Sequence, residues 1–298
     1  MSPRDFALVV LMCLCWALNV VVSRTVIADW GVPPIFYAAL RFSALIILVF
    51  AWLRPMPRPF WRLASVALCM GAANFALLNI GLQTASASSA AVVTQLSVPI
   101  TTLLSVFMLG ERVRWRRGLG IALAFAGALL VIIDPAGFTV SAGLLYVLGC
   151  AVVASLGAVL IKQMEGVKPL TFQAWVALIS APPLLAGTFA FETGQVEATV
   201  AAGWPFVAAM AFAVLVVSLF AHTMFYHLLS KYEANLISPL TLMSPLMSVA
   251  IGVFFLGEHF DLRMAVGAAM ALGGVLLISV RGNRKLPEAT LTPSEAQL

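Results

Sequence analysis

Charge is scarce in this sequence. Only 10% of its 298 residues are Asp, Glu, Lys or Arg, while 62% are hydrophobic. A soluble domain carries about 25% charged and about 45–50% apolar residues. So few charges cannot cover a chain of this size in water. That excludes an ordinary soluble enzyme, a secreted disulfide scaffold and a disordered chain. Carboxylates are missing from the interiors of the apolar runs. Asp5, Asp29, Glu111, Asp134, Glu165, Glu192, Glu197, Glu233, Glu258 and Asp261 all fall at run ends or in connections. Cys13, Cys15, Cys69 and Cys150 sit in apolar runs, at spacings that fit neither a metal site nor a disulfide framework. There is no H-E-x-x-H, no pair of aspartates within an apolar run and no G-x-S-x-G. Ser218 and His222 stand one helical turn apart, but no third group orients the histidine, so nucleophilic catalysis has no support. The sequence therefore reads as a non-enzyme that needs no metal or organic cofactor.

What the chain does have is long apolar runs. A helix needs about 20 apolar residues to cross the hydrocarbon core. Ten runs qualify: Phe6–Ile27, Pro34–Leu53, Trp61–Leu82, Ser88–Leu109, Arg117–Ile133, Ser141–Ile161, Leu170–Phe191, Trp204–Leu229, Ala234–Phe255 and Met264–Val280. The connections are too short to hold a soluble domain, and the polar tail 282–298 reads as disordered. Arg4 followed by apolar Phe6–Val22 superficially matches a secretory signal. The run is longer than a usual signal core and lacks a small-residue cleavage site, so it counts as the first span.

Lys and Arg set the orientation. With a cytoplasmic N-terminus, ten spans return the C-terminus to the same side. That places 14 of the 17 basic residues in the cytoplasm; Arg24 and Arg263 lie outside, and Arg41 lies within the second span. The basic surplus is thus a topology signal and not a nucleic-acid surface.

The chain also repeats at half length. Leu109–Val131 aligns with Leu256–Ile278, with 10 of 23 positions identical, beginning with Leu-Gly-Glu in both copies. Pro99 and Pro245 precede these motifs one residue out of step. The copies, 5–134 and 139–281, hold five spans each. An odd number turns the second copy upside down, and its HFDLRM has lost most of the basic residues of RVRWRR. Inverted repeats are the architecture of alternating-access transporters, with the substrate site near the midplane.

These features resemble the drug/metabolite transporter superfamily, EamA type. The resemblance rests on Ser97-Val98-Pro99 running into Leu109-Gly110-Glu111, and on Ser244-Pro245 running into Leu256-Gly257-Glu258. Arg41-Phe42 is similar to a further family feature. The resemblance covers residues 5–281. It implies an all-α bundle of ten transmembrane helices, in two inverted five-helix repeats around a central cavity lined mainly by helices 1, 3, 4, 6, 8 and 9. It also implies a bacterial inner-membrane exporter of amino acids and related metabolites. Gly157 departs from the pattern, which implies a bulkier or more polar residue opposite Asn19.

Polar groups in hydrocarbon face a cavity or another helix. Helical spacing puts Trp16, Asn19 and Ser23 on one face, and Ser88, Gln95 and Thr102 on another. Ser218, His222 and Phe225 form a third, beside Tyr226, and Ser238, Thr241 and Ser248 a fourth. Helix 3 offers Asn74 and Leu78. Pro99, Pro239 and Pro245 free backbone carbonyls, either as substrate ligands and gating kinks or as static kinks. The candidate substrate-binding set is Trp16, Asn19, Asn74, Leu78, Gln95, Pro99, His222, Phe225, Tyr226 and Pro245. Arg41 reads either as a carboxylate partner or as a structural residue. Without a buried lysine cluster for phosphate, the expected partners are a neutral or zwitterionic small molecule and the bilayer. The expected assembly is a monomer, with a dimer left open. The expected activity is facilitative export of neutral or aromatic amino acids. Proton-coupled export, with His222 titrating, and a channel are the alternatives.

Overall fold

A computed structural model describes residues 1–110, 115–134, 139–161, 168–232, 237 and 239–279. Ten helical spans follow one another among them. They are α1 (Pro3–Asp29), α2 (Pro34–Trp52), α3 (Phe60–Leu82), α4 (Ala87–Met108) and α5 (Trp115–Ile132), then α6 (Ala142–Ile161), α7 (Pro169–Phe191), α8 (Gln195–Phe225), α9 (Met243–Leu256) and α10 (Leu262–Ser279). All but α9 are long and apolar enough to cross a bilayer. α9 belongs to the expected run Ala234–Phe255, of which residues 234–236 and 238 lie outside the described residues. Glu111, Arg112, Arg114, Lys162, Glu165, Glu233, Ser238 and the tail from Arg281 also lie outside them. A two-residue antiparallel ladder, Ile133–Asp134 with Thr139–Val140, joins α5 to α6. The fold is an all-α membrane fold.

Helix ends follow from local chemistry. Pro3, Pro34 and Pro169 occupy first-turn positions, where a missing N–H costs nothing. Ser2 caps α1 by accepting from the Asp5 N–H at 3.2 Å, and Ser86 caps α4 by accepting from the Ser89 N–H at 3.1 Å. Gly110 and Gly257 end the fourth and ninth helices with φ of 67° and 65°. A left-handed cap of this kind favours glycine, which explains the glycine of both Leu-Gly-Glu motifs. Gly203 interrupts α8 at φ 62°, ψ −146°, so the long helix proper starts at Trp204, as the sequence predicts, and continues to Lys231.

Both proline-bearing helices break in the same way. Pro99 has no N–H to give the Gln95 carbonyl, and the Val98 N–H takes that oxygen at 3.1 Å. Pro245 likewise cannot serve Thr241, whose carbonyl accepts from the Ser244 N–H at 3.0 Å. The chain tightens for one turn at Gln95–Leu96 and at Thr241–Leu242. From break to cap the helices run 13 residues (Ser97–Leu109) and 14 residues (Met243–Leu256), which accounts for the one-residue step in the repeat. α3 and α8 share another irregularity, π-helical turns over Leu68–Ala73 and Phe212–Ala221. Side chains serve the carbonyls there: Ser218 Oγ donates to Ala213 O at 3.0 Å.

α5 packs on α10 through glycines. A β-carbon on Gly120 would lie 2.8 Å from the Gly274 carbonyl oxygen, and one on Gly267 would lie 2.8 Å from the Gly127 oxygen. The pairing of 120 with 274 and 127 with 267 makes the two helices antiparallel. Gly118, two residues before Gly120, is exposed with nothing within 4 Å of its missing β-carbon. With about 3.6 residues per turn it lies on the opposite side of the helix from Gly120. In detergent, Gly127→Val should lower the thermal unfolding midpoint, because backbone cannot yield to the added methyls; overpacking typically costs about 1–3 kcal/mol. Gly118→Val should leave the midpoint unchanged. Equal midpoints would show that α5 and α10 do not touch.

Candidate functional site

Among the described residues, two cavities within the bundle bear on function. The larger, about 460 Å³, is bounded by both helix breaks. Gln95 and Ser97 face it from α4, Thr241 and Leu242 from the break before α9. Thr101 and Thr102 extend its polar wall, and Ala154, Ala158 and Val275 supply an apolar one. It reaches Arg117 and Ser279, near the start of α5 and the end of α10. Met70 of α3 lines it too.

The smaller cavity, about 90 Å³, lies among α2, α3, α7 and α8. Phe42, Phe75 and Phe172 give it aromatic walls, and Met70 lines it as well. Its polar groups are Gln173, Ser218 and His222. Gln173 is 9% exposed, and its Oε1 has no hydrogen-bond partner among the described residues. His222 Nδ1 lies 2.8 Å from Val217 O. A carbonyl only accepts, so Nδ1 carries the proton in this arrangement.

Behind this cavity sits Arg41, 2% exposed. Its Nε and Nη2 both donate to Ser218 Oγ, at 3.1 and 3.0 Å, and Nη1 donates to Asn19 Oδ1 at 3.0 Å. The guanidinium carbon stands 4.7 Å from the Phe75 ring centroid. Among the described residues no carboxylate pairs with it.

The predicted site residues do not share one wall. Gln95 lines the large cavity and His222 the small one. Trp16 packs on His222 and Phe225, with ring centroids 5.6 and 5.3 Å apart. Asn19 is engaged by Arg41, and Asn74 Oδ1 accepts from Cys150 Sγ at 2.9 Å. Leu78 packs against the core, and Pro99 and Pro245 are buried just beyond the breaks. The Tyr226 side chain lies outside the described residues. The departure at Gly157 has a steric reason: a β-carbon there would collide with Met70 Cγ, so the bare α6 backbone seats Met70. Phe172 and Gln173 escaped the sequence reading, which took the cavity walls from helices other than α7, and Met70 on α3 escaped it too. Gln173, a polar side chain within an apolar run, was the available signal.

Hydrogen bonds tie helices together at the end of the bundle opposite Arg117. Glu258 accepts from the Ala87 and Ser88 N–H groups at 2.6 and 2.9 Å, capping α4. Glu192 accepts from the Ile35 and Phe36 N–H groups at 2.8 and 2.9 Å, capping α2. The glutamate of the second Leu-Gly-Glu is thus a cap supplied by one copy to a helix of the other. At the opposite end, Asp5 accepts from Lys231 Nζ at 2.8 Å and from the Tyr232 hydroxyl at 2.6 Å. The hydrogen bond to Asp5 raises the Lys231 pKa.

The chain matches the EamA-like transporter family twice, over residues 6–133 and 141–280. It belongs to that family. One relative, described as "Probable amino-acid metabolite efflux pump" in Escherichia coli (strain K12), is 26% identical over 95% of this chain and 97% of its own. Another, "Probable terminal-alkyne amino-acid exporter" of Streptantibioticus cattleyicolor, is 26% identical over 97% of this chain and 98% of its own. A solved crystal structure matches with a TM-score of 0.64 at 20% identity, covering 93% of this chain and 98% of that one, and shares the fold. The protein is therefore a multi-pass membrane transporter with a small-molecule substrate, and not an enzyme.

The Glu258 cap should be measurable. Glu258→Ala should destabilise the protein by about 0.5–2 kcal/mol, the usual value of an N-cap, and Glu258→Gln by less. Unfolding midpoints in detergent check this, and an unchanged midpoint in Glu258→Ala would rule out the cap.

Proposed function

We propose that this chain exports neutral or aromatic amino acids and related small metabolites across a bacterial inner membrane. Transport proceeds by alternating access between the two inverted five-helix copies, 5–134 and 139–281. The observation that carries this reading is the cavity between the two equivalent helix breaks. Gln95 and Thr241 occupy matching places on it, and about 460 Å³ suits a small solute, since ligand pockets run about 300–1,000 Å³. The names of the relatives support amino-acid-type cargo. With both termini in the cytoplasm, the cavity opens inward and the Glu258 and Glu192 ties close the outer end. The working unit is a monomer.

Transport is facilitative in this reading. No carboxylate lies deep in a described span, and the His222 Nδ1 proton is engaged by backbone. The geometry favours this over a proton-coupled exporter with His222 as relay. A channel is disfavoured because the two-fold repeat lies within one chain and hydrogen bonds tie the helices together at the end opposite Arg117.

Purified protein in liposomes should take up radiolabelled neutral amino acids without a pH gradient, saturably and with counterflow. Gln95→Trp and Thr241→Trp should each lower uptake at least about tenfold while leaving the fold intact. Normal uptake by both variants would reject the cavity as the site. Strict dependence on a proton gradient, lost in His222→Gln, would replace uniport with coupled export.

Topology gives a separate check. A cysteine at Asp261 should react with an impermeant thiol reagent in intact cells, and one at Arg114 should not. The reverse pattern would overturn the orientation.

A further inference from the structure

Arg41 is a full positive charge in a membrane-spanning helix, buried, with only neutral partners among the described residues. A buried cation is costly unless a counter-charge or a full set of hydrogen bonds compensates it. Here the compensation is partial. Asn19 takes one donor, the Phe75 ring offers its face, and a single hydroxyl oxygen spans the Nε–Nη2 edge. That edge is the planar fork that matches a carboxylate with two parallel hydrogen bonds. Ser218 Oγ therefore stands where an anionic oxygen would bind better. Ser218 lines the 90 Å³ cavity, and a serine side chain gives way by a rotation about one bond.

Gln173 adds a second, independent observation. Its nine-tenths-buried side chain lines the same cavity with an oxygen that lacks a donor among the described residues. A ligand carrying both a carboxylate and an N–H donor would complete both groups.

We propose that this small cavity is the head-group subsite of the transporter. It takes the carboxylate and ammonium of an α-amino acid, with Arg41 as the specificity-determining counter-ion that replaces its bonds to Ser218 by bonds to the substrate carboxylate. Size limits what else enters. An apolar cavity of about 150 Å³ is known to hold benzene, so 90 Å³ suits the head group and leaves the side chain outside. Met70 lines both cavities. Its unbranched, flexible side chain can move aside and let the substrate side chain lie in the larger cavity, which would then tolerate varied side chains. This assignment rests on the exporter reading but is tested separately from it.

Binding to the purified protein in detergent, with L-leucine as probe, tests it. L-leucinamide lacks the carboxylate and 4-methylpentanoate lacks the ammonium. L-leucine should bind at least about tenfold more tightly than leucinamide, the scale of a hydrogen bond to a charged group. 4-Methylpentanoate should also bind more weakly than L-leucine. Arg41→Gln should bring leucine down to the level of leucinamide, and Arg41→Lys should keep part of the preference. Ser218→Ala removes the competing hydroxyl and should raise leucine affinity severalfold without moving the charge, an effect a purely structural Arg41 would not produce. It decides the matter if Arg41→Gln does not fold. Equal binding of leucine and leucinamide by the unmodified protein would overturn the assignment. So would a folded Arg41→Gln that keeps the preference, or a Ser218→Ala that binds leucine no better. Liposome uptake without a carboxylate preference rejects the Arg41 assignment alone. A carboxylate preference in binding without uptake rejects the exporter reading alone.

Discussion

Inside a bilayer no water is available to satisfy a free backbone N–H or C=O, so each must find its partner within the protein. Much of this structure answers that demand. Where Pro99 and Pro245 withhold an N–H, the chain shortens its turn and the residue before each proline serves the orphaned carbonyl. Where α8 widens into π turns, Ser218 and His222 reach back five residues to Ala213 and Val217. Where α2 and α4 begin, Glu192 and Glu258 cover their first N–H groups. Side chains that look like ligands for cargo are in several cases ligands for backbone.

Arg41 stands apart because its positive charge, not its backbone, is what needs a partner. The structure brings it an amide, a hydroxyl and an aromatic face, which hold a guanidinium in place but do not neutralise it. Any anionic group reaching the small cavity would therefore gain a strong interaction already positioned for it, without ordering a flexible side chain first.

The contrast between fold and site shows what a sequence makes readable. The spans were legible because hydrocarbon thickness fixes run length, and the Leu-Gly-Glu turn because glycine is favoured at a left-handed cap. Repetition of the motif made the glutamate conspicuous, but only the structure shows Glu258 bonded to the start of α4. Faces were harder to read. Spacing of i, i+7, i+14 assumes an unbroken helix through Ser88, Gln95 and Thr102, yet the turn at Gln95–Leu96 changes the phase. Gln95 and Thr102 do reach the large cavity, while Ser88 is buried against the Glu258 cap. The π turns disturb the same arithmetic in α3 and α8, which is why Met70 escaped notice. Gly157 departs from the expected pattern because its role is to leave room for a side chain from another helix.

The placement of the ties bears on how such a bundle could switch. One end is held by two carboxylates on four backbone N–H groups. The other is held at Asp5 by Lys231, Tyr232 and Ser2. A cap is worth about 0.5–2 kcal/mol, so two caps bias the population strongly without locking it; a ratio of 99:1 corresponds to only about 2.7 kcal/mol. The glycine seam between α5 and α10 is of a different kind, because backbone meets backbone and no side chain can yield. Under the proposed cycle the seam is therefore the part that persists while end ties break and re-form. A carboxylate that frees Ser218 from Arg41 acts on the π segment of α8, where Ser218 also bonds to Ala213. That gives head-group binding a direct physical route to the shape of the helix that carries it.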